Sequence, residues 1–124
     1  MAKLLHLQTL SDARGSLSVI EKILPFEIKR VFYIYEVSAP RGGHAHHKTQ
    51  LALICLGGAC KIHINSHGKK STYSLTHPSQ CLLLEPHEWH VMEDFTPHAT
   101  LLALASEHYD PTDYIYEEPQ TPQP

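Results

Sequence analysis

Arg41-Gly42-Gly43-His44-Ala45-His46-His47-Lys48-Thr49-Gln50, running on into Leu51-Ala52-Leu53-Ile54-Cys55-Leu56 and Gly57-Gly58, is the stretch on which the fold and the site both turn. The first glycine pair lets the backbone turn sharply and leaves space for a ligand. If the chain enters a strand here and continues over His46–Leu56, alternation puts His44, His46, Lys48 and Gln50 on one face, with Ile54 and Leu56 further along it. Polar groups at the start of a strand and apolar ones at its end describe the mouth of a barrel floored by core. Gly57-Gly58 between two apolar runs predicts a tight hairpin, because glycine adopts positive φ without steric cost.

Short runs of the same kind lie on both sides: Leu4–Leu7, Leu17–Ile20, Ile28–Val37, Ala59–Asn65, Lys70–Leu75, Cys81–Leu84, His90–Phe95 and Thr100–Ser106. Turn chemistry separates them at Arg14-Gly15, Pro40 to Gly43, Asn65 to Gly68, His77-Pro78 and Glu85-Pro86. Many short strands with no helical period and no repeat predict an all-β sandwich or closed barrel. Pro111 keeps any helix after Ser106 short. In Leu51–Leu56 both parities are apolar, so one side faces the barrel interior and the other a further sheet or subunit; this predicts a homodimer. Residues 119–124, with three prolines and two glutamines, read as an extended tail or linker stub, leaving one domain over 1–118.

Composition narrows the function. At 124 residues the chain has room for one core. A net charge of -3 with scattered Lys and Arg gives no basic patch, which argues against nucleic acid and anionic membrane as partners. The longest uncharged apolar run is too short to cross a bilayer, and the N-terminus lacks the pattern of a signal peptide, so a cytoplasmic location is expected. Three cysteines without a C-x-x-C, each in or beside an apolar run, read as buried thiols in a reducing compartment.

Eleven histidines are far above ordinary usage, and histidine is the side chain most suited to proton transfer near neutral pH and to metal ligation. An isolated H-x-H reads most simply as two surface histidines. Here Arg41 and two glycines precede the pair, Gln50 and Gly57 come after it, and Pro86-x-x-Trp89-His90 lies further on: the two-part layout of a cupin. His44, His46, Gln50 and His90 are therefore candidate site residues. Tyr33 and Tyr35 share a strand face and offer two phenols, or alternatively core or interface aromatics. Arg14 sits in a turn beside Asp12, where a solvated ion pair is the plain account. Trp89 either packs or walls a pocket.

The sequence resembles the dTDP-4-oxo-6-deoxy-D-glucose 3,4-ketoisomerases, small RmlC-like cupins with a double-stranded β-helix or jelly-roll barrel. The likeness is carried by Asp12-x-Arg14-Gly15-x-Leu17, by Val31 to Tyr35, and by Arg41 to His46 with Lys48, Leu53 to Leu56 and Gly58. Pro86-x-x-Trp89-His90-x-Met92-x-Asp94-Phe95 and Leu101 to Ser106 with Tyr109-Asp110 and Asp113-Tyr114-Ile115 complete it. Gly43 stands where the family has an aromatic residue, and His47 where it has lysine. The resemblance implies that a ketone moves from C4 to C3 of a dTDP-linked 4-keto-6-deoxyhexose, with no cofactor and no metal, in the making of dideoxyaminosugars for surface glycans.

The residues suit that chemistry. A neutral imidazole can remove the acidic C3 hydrogen, and Arg41, a tyrosine or a second imidazole can stabilise the enediolate. His44 or His46 is the carbon acid–base and the other the proton carrier between oxygens, a choice spacing does not make, and Tyr35 is a donor or acid. Arg14 and Arg41 suit diphosphate or sugar oxygens, and Tyr33, Lys48, Gln50, Trp89 and His90 complete the expected substrate contacts. The rivals are a metal-dependent cupin such as a dioxygenase, ligated by His44, His46, Gln50 and His90, a non-catalytic sugar-binding cupin, and a 3,5-epimerase. Neutral Gln50 and the positive Arg41 and Lys48 count against the metal.

Overall fold

Strands form where the β-branched, aromatic and leucine runs lie. The computed structural model describes residues 1–120; residues 121–124, the end of the expected tail, lie outside the described residues. In chain order the strands are β1 (Lys3–His6), β2 (Gln8–Asp12), β3 (Gly15–Val19), β4 (Arg30–Ile34), β5 (Arg41–His46), β6 (Leu51–Leu56), β7 (Cys60–Ser66), β8 (Lys69–Leu75), β9 (Gln80–Leu84), β10 (Glu88–Glu93), β11 (Thr100–Ala105) and β12 (Tyr114–Ile115). One 3-10 turn, Pro111–Asp113, precedes β12, capped by the Asp110 side chain on the Thr112 amide; as expected, Pro111 keeps it short.

Two five-stranded antiparallel sheets, ordered β1-β9-β6-β11-β4 and β12-β5-β10-β7-β8, face each other as the expected jelly-roll, and β2-β3 stands apart as a two-stranded arm. Leu51, Leu53 and Cys55 of β6 point between the sheets with Ile62, Leu75, Leu82 and Leu101, all nearly or wholly removed from water. Each such leucine contributes roughly 1.5–3 kcal/mol of burial. The three cysteines are buried free thiols.

The other parity of β6, Ala52 and Ile54, is buried against Leu7, Ile20, Ile23, Leu24 and Phe26. The chain thus covers this part of the outer face with its own segment, and the apolar parity of β6 does not call for a second subunit. Val31, Tyr33, Tyr35 and Leu56 remain exposed.

Two other expectations are corrected. Leu56 and Cys60 belong to different sheets, so Gly57-Gly58, both at positive φ, form a crossover between sheets and not a hairpin. The run His46–Leu56 is not one strand. β5 stops at His46 because Asp113 supplies the next hydrogen bonds: its carbonyl accepts from the His47 amide at 2.8 Å, and its carboxylate accepts from the Lys48 amide at 2.8 Å and from the Thr49 hydroxyl. With these groups satisfied outside any ladder, the alternation that joined Lys48 and Gln50 to the histidines does not run through the loop.

Candidate functional site

The site is built where β5, β10 and β12 lie side by side. His44 pairs with His90, and His46 with Tyr114, so alternation sends all four side chains to the inner face. The His44 ring centroid lies 5.1 Å from that of His46, 5.0 Å from His90 and 4.8 Å from Tyr114, and the His46 ring is also 4.8 Å from Tyr114. Gly42 makes this approach possible. Its φ is +89°, and a Cβ there would meet the His90 carbonyl oxygen at 2.9 Å. Only glycine suits both the backbone and the space.

Electrostatics follow from burial. His90 is 1% exposed and His46 4%. Burial takes His90 down to about 3, the Glu88 carbonyl opposing and the neighbouring His44 and His46 adding to the fall. His46 drops to about 4, again mainly through burial, with the His44 and Arg30 charges assisting and Asp113 opposing. His44 is lowered by burial, partly offset by a hydrogen bond to the Gly42 carbonyl. All three are neutral at pH 7. The Nδ1–H of His90 donates to the Glu88 carbonyl at 3.0 Å, which leaves its Nε2 as the bare nitrogen. That Nε2, the Nε2 of His46 and the Nε of Arg30 are buried without a hydrogen-bond partner. Such atoms are costly unless a ligand completes them.

Asp113 holds the assembly from behind. Burial works to raise its carboxyl, but the Thr49 hydroxyl and the Lys48 amide outweigh it and hold the group below the usual carboxylate range.

The structure brings together His44, His46 and His90, as expected, and separates several others from them. Tyr33 and Tyr35 are 62% and 59% exposed, with rings 5.8 Å apart; Tyr33 is on the face of β4 opposite to Phe32 and Ile34, which pack into the core, and Tyr35 follows just past the strand's end. The exposure of Tyr35 and its contact with Tyr33 place its ring on the outer surface. Arg14 lies at the tip of the arm, paired with Asp12 at 2.6 Å. Lys48 is exposed and pairs with Asp110 at 3.5 Å. Gln50 lines a separate groove of about 330 Å³ with Ile23, Pro25, Phe26 and Leu83. Arg41 is exposed at the start of β5. Trp89 points to the opposite face from His90 and donates its Nε1–H to the Tyr116 carbonyl at 3.2 Å.

With Gln50 elsewhere, the metal-binding quartet does not assemble. Among the described residues no group of three or more His, Cys, Asp or Glu side chains is disposed to hold a metal ion.

Sequence reasoning missed Tyr114, Tyr116, Asp113 and Arg30. The stretch Asp113-Tyr114-Ile115 carried part of the family likeness, but nothing in its spacing pairs it with a strand 68 residues earlier, the separation between Tyr114 and His46.

Comparison with known proteins agrees with this geometry. The family described as FdtA: WxcM-like, C-terminal, matches residues 1–121. The TDP-4-oxo-6-deoxy-alpha-D-glucose-3,4-oxoisomerase of Aneurinibacillus thermoaerophilus is 40% identical over 117 residues, 91% of this chain and 84% of that protein. A solved structure of the 3,4-ketoisomerase QdtA from Thermoanaerobacterium thermosaccharolyticum, with one histidine replaced by asparagine and TDP-4-keto-6-deoxyglucose bound, superposes with a TM-score of 0.90 at 42% identity, covering 94% of this chain and 87% of that one. The dTDP-4-dehydrorhamnose 3,5-epimerase of Bacillus anthracis, at 20% identity and a TM-score of 0.79 over 91% of this chain and 76% of that one, shares the RmlC-like fold alone. The chain belongs to the FdtA family (WxcM-like, C-terminal), a family of sugar 3,4-ketoisomerases built on the RmlC-like cupin barrel.

Proposed function

We propose that this chain, through its 1–118 domain, converts dTDP-4-keto-6-deoxyglucose to the corresponding 3-keto-6-deoxyhexose by acid–base chemistry. The observation that carries the reading is the cluster of three neutral imidazoles, two with bare buried Nε2 atoms, with the Tyr114 ring against His44 and His46 and the Arg30 charge close enough to act on His46. The 40% identical oxoisomerase supports the substrate.

The C3 hydrogen is acidified by the C4 carbonyl. His44, the ring central to the cluster and the most open of the three, removes it, and the electron pair moves onto O4 as an enediolate. Arg30, whose Nε has no other partner, and the Tyr114 hydroxyl stabilise that charge. His46 and His90, neutral and with Nε2 free, carry a proton from O3 to O4. Protonation at C4 then leaves a hydroxyl there and a ketone at C3. C3 is oxidised and C4 reduced by the same electron pair, so the step balances without a cofactor. Arg30 and Tyr114 thus take the roles expected of Arg41 and Tyr35. Arg14, Arg41, Lys48 and Trp89 remain candidates for the diphosphate and the rim. The 3-ketone is the acceptor that a later amine-installing step requires.

The chain works as a cytoplasmic homodimer in this reading; no helix of the described residues is long and apolar enough to cross a membrane. The second copy covers the exposed Val31, Tyr33, Tyr35 and Leu56, and light scattering on the purified protein tests this.

The reaction is tested by monitoring dTDP-4-keto-6-deoxyglucose with the protein in deuterated buffer by NMR. Ketone migration to C3 with deuterium at C4 is expected. Unchanged substrate, or label at C5, overturns the assignment, the second result in favour of epimerisation.

A further inference from the structure

Tyr114 belongs to a strand too short to hold itself. β12 pairs with β5 through only Tyr114↔His46 and Ile115↔Ala45. The segment beyond it, Tyr116 to Pro119, is fastened by side chains of other strands. The Trp89 indole N–H donates to the Tyr116 carbonyl at 3.2 Å, and Asn65 Nδ2 donates to Glu118 Oε2 at 2.9 Å and to the Pro119 carbonyl at 3.0 Å. Asn65 is itself fixed: it is buried on β7, and its Oδ1 accepts from the Gly68 amide at 2.8 Å. A buried amide with every donor and acceptor used holds one orientation. Pro119, expected to lie in a tail, is tied to the barrel.

The fastened segment carries a second aromatic ring to the site. Tyr116 stacks on Tyr114 at 5.9 Å and 16°, its centroid 6.3 Å from His44, yet it is 70% exposed. One tyrosine face is covered and the other open at the edge of the histidine cluster. A hexose whose C3 and C4 lie against His44 reaches Tyr116, whereas a nucleobase lies two phosphates and a pentose further off.

We propose that Tyr114–Pro119 forms a strap at the edge of the sugar subsite, fastened on the outer side of the sheet, in which Tyr116 contacts the hexose and sets its retention, and Asn65 is the positioning residue that latches the strap. This rests on the ketoisomerase reading above for the identity of the sugar; the latch itself does not. An aromatic wall excludes water and holds the ring in its reactive pose, so loosening it raises KM more than it lowers kcat.

The chain has a single tryptophan, so Trp89 emission reports the strap without any substrate. Asn65→Asp keeps the acceptor for Gly68 and removes both donors to the strap. It is expected to shift Trp89 emission to the red, as the indole N–H exchanges the Tyr116 carbonyl for water, and to raise KM for dTDP-4-keto-6-deoxyglucose about tenfold with kcat within about threefold. Adding Glu118→Gln gives the new carboxylate a donor and is expected to restore both readings. Tyr116→Ala, at a 70% exposed position, is expected to raise KM similarly, with the circular dichroism spectrum unchanged. If Asn65→Asp does not fold, Glu118→Ala removes one of the two latch bonds from the exposed side, and the same emission shift is expected. Unchanged emission in the latch variants overturns the latch. Unchanged KM in Tyr116→Ala overturns the hexose contact. A wild-type protein that leaves the ketosugar untouched overturns the ketoisomerase reading and the hexose contact together, while the emission arm still decides the latch.

Discussion

His44 and His90 face each other across the β5–β10 ladder, their rings 5.0 Å apart and inclined at 66°, at the point where the register slips between His90 and Val91. The slip and the bare glycine backbone of β5 accompany this pairing, and the two imidazoles share one site. Both are neutral at pH 7, mainly because burial disfavours the charged imidazolium, and at His90 the neighbouring histidines add to the fall.

Replacing the central ring tests its role most directly. His44→Asn is expected to lower kcat/KM for ketone migration by about 10²–10⁴-fold with the circular dichroism spectrum unchanged, measured by NMR conversion of the ketosugar. Retention of turnover within tenfold would move the carbon base to His46.

The pH profile should be acid-tolerant. The folded-state values of His46, about 4, and His90, about 3, lie below the ordinary value of 6.5, and His44 is lowered as well, so the working neutral forms persist below pH 6.5. The kcat/KM profile is expected to stay level from pH 8 through pH 6 and to fall only on further acidification. Stability has the same sign. Between the folded and unfolded values the unfolded chain binds more protons, so each of His46 and His90 removes about 1.4 kcal/mol per pH unit as pH falls from about 6.5 towards its folded value. Melting temperatures from pH 8 to 4 measure this; a rise on acidification would contradict it.

The two phenols separate cleanly. Tyr114→Phe is expected to lower kcat at least tenfold, because in the proposed mechanism its hydroxyl stabilises the enediolate. Tyr35→Phe, exposed just past the end of β4, should leave kcat within about twofold. Equal losses at both positions, measured with saturating substrate, would return Tyr35 to the site.

These pairs show how much of the site is legible in the sequence. His44 and His46 can be found because two glycines and a strand of period two act locally. The buried thiols and the jelly-roll are likewise readable from short-range patterns. Alternation misplaces Tyr35 because it reveals that two residues share a face without saying which face is inside; the inward parity of β4 belongs to Phe32 and Ile34. It misplaces Gln50 because Asp113, far along the chain, ends β5 and breaks the parity. Tyr114 and Arg30 reach the site through long-range pairing, which no local period encodes.

Glycine substitutions measure the steric argument. Gly42→Ala places a methyl 2.9 Å from the His90 carbonyl oxygen at φ +89°, whereas a Cβ at Gly43, φ +79°, meets only Trp89, at 4.0 Å. Gly42→Ala is expected to cost about 2–4 kcal/mol in denaturant unfolding, and Gly43→Ala about 1–2 kcal/mol from backbone strain alone. Turnover should fall with the first and persist with the second.

Asp113→Ala leaves the Lys48 amide and the buried Thr49 hydroxyl without an acceptor. It is expected to cost about 2–4 kcal/mol and roughly 10 °C in melting temperature, read by calorimetry. Thr49→Val removes only one of the three contacts and should cost less than half as much.

The clamp at Asp113 also sets an order of assembly. During synthesis β5 leaves the ribosome long before β12, with most of the barrel between them, so the hydrophobic core can close while the catalytic cavity still lacks a wall. A chain stopped just before Asp113 would bury its leucines and hold its histidines, yet have neither phenol nor strap. Within this domain the completed site is then the last feature to form as the strands emerge, and the first that loosening of β12 would take away.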